Sequence, residues 1–129
     1  MKILLDTHTW LWALGDRARF SRAGLARLES KVDRFFLSAA STWEIVIKVR
    51  LGRLRLPFEV SPYLHARVAL TPATRLPVAH EHALQLAELP LHHRDPFDRI
   101  LIAQAQVDGL SIMTADRAFE AYGVPLVGL

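Results

Sequence analysis

The apolar positions of this chain fall into short continuous runs separated by stretches of helical period. Lys2-Ile3-Leu4-Leu5, Phe35-Phe36-Leu37-Ser38, Arg75-Leu76-Pro77-Val78-Ala79, Ser111-Ile112-Met113-Thr114 and Pro125-Leu126-Val127 read as strands. Unbroken apolar runs of this length suit strands covered on both faces. Pro77 cannot donate to a ladder and puts its strand at an edge.

Between the strands the pattern predicts helices. Thr7 to Leu14 forms the first, with Gly15 at its end. Ser21 caps a second through about Val32, with Leu25 and Leu28 on one face. Ser41 and Glu44 form an S-x-x-E capping box for a helix reaching about Arg50 and stopping near Gly52. Ser61-Pro62 starts a helix to about Leu70. His80 to Leu89 is a short helix, and Pro90 to Arg94 is a loop. Asp95-Pro96 opens a helix that ends at Gly109, and Asp116 to Tyr122 is a short one.

Strand and helix alternate throughout, which predicts a three-layer α/β/α sandwich with a central parallel sheet. The 129 residues fit one domain, with no linker, repeat or low-complexity tract. In such sheets sites form beyond the C-terminal ends of the strands.

Composition changes the picture in two respects. Hydrophobic residues make up 51% of the chain and mean hydropathy is +0.17, high for a small domain. Part of that excess is expected at an interface with another chain. Net charge is +3, and Arg and Lys crowd the first half from Arg17 to Arg55, as a polyanionic partner would favour. No run approaches the ~18 apolar residues of a membrane span. With no signal-like start, the chain reads as cytoplasmic. The lack of Cys excludes disulfides and thiolate metal sites.

The candidate chemistry lies in four acids at the mouths of apolar segments. Asp6 ends the first run, Glu44 sits inside a helix, Asp98 precedes Ile100-Leu101-Ile102-Ala103, and Asp116 follows the fourth strand. An acid so placed is costly unless compensated. Four on one rim point to a shared hard cation and a phosphate ester. Asp95 is better explained as the cap before Pro96 than as a ligand. His80, His82, His92 and His93 lack the spacing of helical zinc sites and read as surface residues, while His8 lies nearer the acids.

Four segments carry a family resemblance: Leu4-Leu5-Asp6-Thr7-His8-Thr9; Ser38-Ala39-Ala40-Ser41-Thr42-Trp43-Glu44-Ile45-Val46-Ile47-Lys48; His93-Arg94-Asp95-Pro96-Phe97-Asp98-Arg99-Ile100-Leu101-Ile102-Ala103-Gln104-Ala105; and Met113-Thr114-Ala115-Asp116-Arg117-Ala118-Phe119. The third is the most specific. Over essentially its whole length the chain resembles PIN-domain ribonucleases, and more narrowly VapC-type toxins.

The resemblance implies that Asp6, Glu44, Asp98 and Asp116 form an acidic site for Mg²⁺ or Mn²⁺, with Thr114 beside the last acid and Thr7 or His8 contributing. It implies endonucleolytic RNA cleavage by metal-activated water, a homodimer, and a small antitoxin that covers the site. Lys48, Arg50, Arg94, Arg99 and Arg117 are then candidates to hold the RNA backbone. The RNA target and the number of metals stay open. One alternative is a catalytically silent RNA- or protein-binding module of the same fold. A phosphoacceptor receiver domain fits less well, because only Asp6 follows the first strand and no Lys occurs after Lys48.

Overall fold

The structure is a computed structural model describing residues 1–129. Five strands form one parallel sheet: β1 (Lys2–Leu5), β2 (Arg34–Ser38), β3 (Thr74–Leu76), β4 (Ser111–Met113) and β5 (Leu126–Val127). Their order is β3-β2-β1-β4-β5. Six α-helices connect them: α1 (Thr7–Gly15), α2 (Arg22–Leu28), α3 (Ala39–Arg50), α4 (Val60–Leu70), α5 (His80–Gln85) and α6 (Pro96–Asp108).

Successive strand side chains point to opposite faces, so each apolar run feeds two cores. Ile3, Leu5, Phe35, Leu37 and Met113 join Trp10, Ile45 and Leu64 beneath α1 to α4. Leu4 and Ile112 join Ile100, Leu101, Phe119 and Tyr122 beneath α5 and α6. The three-layer α/β/α sandwich expected from the alternation is present.

The chain winds outward from β1 in both directions, through β2 on one side and β4 on the other. That makes the β1/β4 boundary a topological switch point, where crevices open beyond the strand ends. Asp6 directly follows β1 there, and its backbone N–H donates to the Met113 carbonyl at the end of β4 (3.2 Å).

Several element boundaries differ from expectation. β2 runs straight into α3, because Ser38 caps the helix by accepting from the Ala40 N–H (3.0 Å). Ser41 therefore lies inside the helix, Glu44 is no capping-box partner, and its placement has another cause. α2 stops at Leu28, four residues before Val32. The chain must turn there to lay Arg34 beside Lys2, and Asp33 pins the turn to Arg27 (3.1 Å) and to the Met1 ammonium (3.2 Å). α4 begins at Val60, so Ser61 is not its cap. Pro62 is tolerated in this first turn, where an N–H has no intrahelical partner.

Other signals hold. Ser21 accepts from Gly24 N (3.0 Å), Asp95 caps α6, and Gly109 closes α6 at φ 66°. β3 is an edge strand and ends before Pro77. His82 is not a surface residue. It is buried, accepts from the Ala79 N–H (3.0 Å) and meets Asp108 (2.7 Å), fastening α5 to α6.

Candidate acidic site at the strand ends

Asp6 is set by the end of β1 and the start of α1. Its Oδ1 accepts from the Thr9 N–H (3.0 Å), capping the helix, and its Oδ2 accepts a short hydrogen bond from Thr114 Oγ1. It is only 6% exposed. Burial pushes its carboxyl above the ordinary range, against the lowering pull of Thr114, the Thr9 N–H and His8. Thr114 also accepts from the Asp116 N–H (3.0 Å), so one hydroxyl joins two of the four acids. Asp116 in turn caps a 3₁₀ turn over Arg117–Tyr122 through Ala118 N (2.9 Å).

Glu44 projects from the second turn of α3 and is 2% exposed. Such a buried carboxylate needs compensation. Thr7 Oγ1 donates to its Oε1 (2.7 Å) and lies 2.9 Å from Ser41 Oγ. Lys48, one turn on, binds its Oε2 in a short ion pair. Burial by itself would lower the Lys48 ammonium, but Glu44 and the nearby charges of Asp95 and Asp98 outweigh it and hold the group above its usual value.

Asp98 stands in the first turn of α6, where Asp95 Oδ1 accepts from both Phe97 N (2.9 Å) and Asp98 N (3.1 Å). Burial raises its carboxyl to about 6, helped by repulsion from Asp95, Asp116 and Glu44 and opposed by a hydrogen bond from His93. Asp98 therefore feels the charges of Glu44, Asp95 and Asp116. Asp95 combines the cap role expected of it with a share in that field.

His93 was expected at the surface, but its Nε2 lies 3.1 Å from Asp98 Oδ2 and its Nδ1 lies 2.6 Å from Tyr122 Oη. The signal that could have revealed it is position. A residue two before a helix cap can fold back onto the first turn, where Asp98 sits.

The basic candidates separate. Lys48 faces the acids. Arg94 is exposed on the loop before α6, and the Arg117 side chain is 88% exposed. Arg50 lines the groove between α3 and α4. Arg99 was expected to hold substrate, yet its donors bind the carbonyls of Pro90 (2.8 Å) and Leu89 (3.2 Å) and Tyr122 Oη (3.2 Å). It braces the loop before α6. Thr7 is buried against Glu44, and His8 is exposed with its ring 5.7 Å from Trp12.

No three Asp, Glu or His side chains converge closely enough to hold a bare metal ion. Asp6 and Glu44 are turned instead to Thr114, Thr7 and Lys48. The donor set is all hard oxygen. Lys48 already occupies a cation's place at Glu44, and the Asp98 carboxyl is raised chiefly by its burial, with repulsion from Asp95, Asp116 and Glu44 added. This chemistry fits a divalent cation that keeps part of its water shell.

The chain matches the PIN domain family over residues 3–125. No curated protein matches it in sequence. Among the solved structures that resemble it are three toxin–antitoxin complexes. VapBC2 from Rickettsia felis bound to a promoter DNA fragment is 14% identical, with 100% of this chain and 99% of that chain covered and a TM-score of 0.76. DNA-bound VapBC from Salmonella typhimurium is 17% identical, with coverage of 99% and 98% and a TM-score of 0.75. FitAcB from Neisseria gonorrhoeae is 23% identical, with coverage of 96% and 95% and a TM-score of 0.64. At these identities the likeness is one of fold. No helix is long and apolar enough to cross a membrane.

Proposed function

The chain belongs to the PIN domain family, and from that membership and the carboxylate geometry we propose that it is a divalent-metal-dependent endoribonuclease, the VapC-type toxin of a toxin–antitoxin pair. The observation that carries the reading is Asp98, whose carboxyl is held at about 6 by burial and by Asp95, Asp116 and Glu44. A buried acid among like charges is costly unless a cation relieves it.

Asp6, Glu44, Asp98 and Asp116 would hold Mg²⁺ or Mn²⁺, in part through water. Such an ion supplies charge stabilisation to an in-line phosphodiester displacement. Thr114 orients Asp6 and the backbone of Asp116, and Thr7 orients Glu44. Lys48 is placed to balance Glu44 when the ion is absent and to meet a phosphate when RNA enters. Arg94 and Arg117, both exposed, extend that contact to the RNA backbone. Above a pH of about 6 Asp98 is mainly ionised and ready for a cation.

The partner side of the proposal rests on a groove of about 910 Å³ between α3 and α4. Trp43, Val46, Leu64 and Val68 give it an apolar lining, with Arg50 and Arg75 at its edge. Trp43 is 60% exposed and packs edge-on against Phe97, which adjoins Asp98 in sequence (5.1 Å). An amphipathic antitoxin helix with acidic flanks fits this groove and could run on to the acids. A second copy of the chain completes the proposed assembly.

RNA cleavage assays test the enzyme reading. Cleavage should require Mg²⁺ or Mn²⁺, stop with chelator, and be lost in folded Asp6→Asn and Asp98→Asn proteins. Undiminished cleavage by folded Asp98→Asn would overturn the assignment. Co-purification with a small acidic neighbouring-gene product should abolish activity, and Trp43→Glu should weaken that complex.

A further inference from the structure

We propose that His93 is a positioning residue, locked by Tyr122 as its Nε2–H tautomer, which holds Asp98 by donating to Oδ2 and leaves Oδ1 free for a cation. This rests on the reading of Asp98 as a metal-holding carboxylate.

The tautomer follows from counting protons. Tyr122 Oη lies within hydrogen-bond distance of the His93 backbone N–H (3.2 Å), Arg99 Nη1 (3.2 Å) and His93 Nδ1 (2.6 Å). The first two can only donate, and together they fill the two lone pairs of the hydroxyl oxygen. The one hydroxyl proton must therefore point at Nδ1, which accepts it. A neutral ring then carries its own proton on Nε2, 3.1 Å from Asp98 Oδ2. The opposite tautomer would set a bare nitrogen lone pair against a carboxylate oxygen at that distance.

The surroundings make this arrangement rigid. Tyr122 is buried in the core under α6. Arg99 is tied down by the Leu89 and Pro90 carbonyls, so it cannot turn away from Tyr122. The His93 ring packs edge-on to the tyrosine ring (5.4 Å, 62°). Asp95 fixes the start of α6, and hence the Asp98 backbone. What remains free is the Asp98 side chain. Asp95, Asp116 and Glu44 all repel it, and water would draw it outward. His93 supplies the donor that opposes this.

The two readouts are separable. The imidazole ¹⁵N NMR spectrum of the metal-free protein, recorded on the neutral ring, should show His93 protonated at Nε2, and Tyr122→Phe should mix the tautomers. Calorimetry with Mn²⁺ should show His93→Leu binding about 10- to 100-fold more weakly, the range for outer-shell partners of metal ligands. His93→Gln should recover most of that loss, since its amide can donate to Asp98 while its carbonyl accepts from Tyr122. A wild-type Nδ1–H signature overturns the inference, as does wild-type Mn²⁺ affinity in His93→Leu when Asp98→Asn has lost binding. If Asp98→Asn itself binds Mn²⁺ normally, the metal reading of the rim fails first and takes this inference with it. Should His93→Leu fail to fold, the wild-type tautomer decides.

Discussion

The two halves of the acid cluster meet the same electrostatic problem differently. Asp6 and Glu44 are almost fully buried, yet each has its own internal donors: Thr9 N–H and Thr114 for one, Thr7 and Lys48 for the other. Asp98 and Asp116 are more open and carry fewer donors, with Asp98 relying on His93. The number of internal donors is the difference. Glu44 is paired within the folded chain, whereas burial still raises the Asp6 carboxyl despite its donors. Asp98 is left raised by its burial and by the neighbouring acids, a cost that an external cation would relieve.

Asp98→Asn breaks the comparison most severely. RNA cleavage should disappear while the metal-free fold becomes more stable at neutral pH. The Asp98 carboxyl is raised from 3.8 to about 6 in the fold, so between those values the native chain binds more protons than the unfolded chain. Its contribution to stability is thus full below about pH 4 and is lost as pH rises through about 6. Melting temperature measured over that window should fall with pH in the wild type, and by less in Asp98→Asn.

Lys48→Met attacks the paired Glu44. It leaves a buried Glu44 without its cation, and should cost about 2–3 kcal/mol in urea unfolding, under the about 3–5 of a fully buried pair because Lys48 is part-exposed. Glu44→Gln added to it should restore most of the loss, since the stranded charge is then gone. An additive double mutant would show that the pair does not compensate Glu44.

Thr114→Val is the subtler test, removing the donor to Asp6 and the acceptor of the Asp116 N–H. A loss of about 1–2 kcal/mol is expected, with the Asp6 carboxyl raised further in NMR titration. Arg117→Ala sharpens the contrast from outside. Its side chain lies in solvent, so stability should change by no more than about 0.5 kcal/mol. RNA affinity should drop, with a salt slope shallower by about 0.7.

The sheet was legible in the sequence because its signals were local. Short apolar runs marked four of the five strands, and Pro77 marked the edge strand, whose own residues Thr74-Arg75-Leu76 are mostly polar. Ser21, Asp95 and Gly109 marked helix ends through backbone chemistry that needs no distant partner. The failures were tertiary. Ser41 and Glu44 matched a capping box, but β2 leads into α3 without a loop, so Ser38 took the cap. Glu44 then serves Thr7 and Lys48, and only one of those contacts is near in sequence.

The candidate acids were visible as acids at strand and helix ends, and Asp98 feels the charges of Glu44 and Asp116. Their internal partners were not visible. Thr7 reaches Glu44 across 37 positions and Thr114 reaches Asp6 across 108. Arg99 and His93 depart from expectation for one reason: a charged or titratable side chain at a loop end or first helical turn ordinarily faces solvent. Here both fold back onto Tyr122, a residue whose nearness depends on the 3₁₀ turn after β4.

The strand order has a consequence in time. β1 lies at the centre of the sheet, yet its neighbour β4 starts only at Ser111. A chain emerging from a ribosome presents Thr7, Glu44 and Lys48 early, as a compensated group, while Asp6 waits for its late donor Thr114. Asp98, Asp116 and the Tyr122 that steadies His93 come last. The rim is assembled only once late synthesis fills the open side of β1. The proposed activity would thus be withheld from the nascent chain by topology alone.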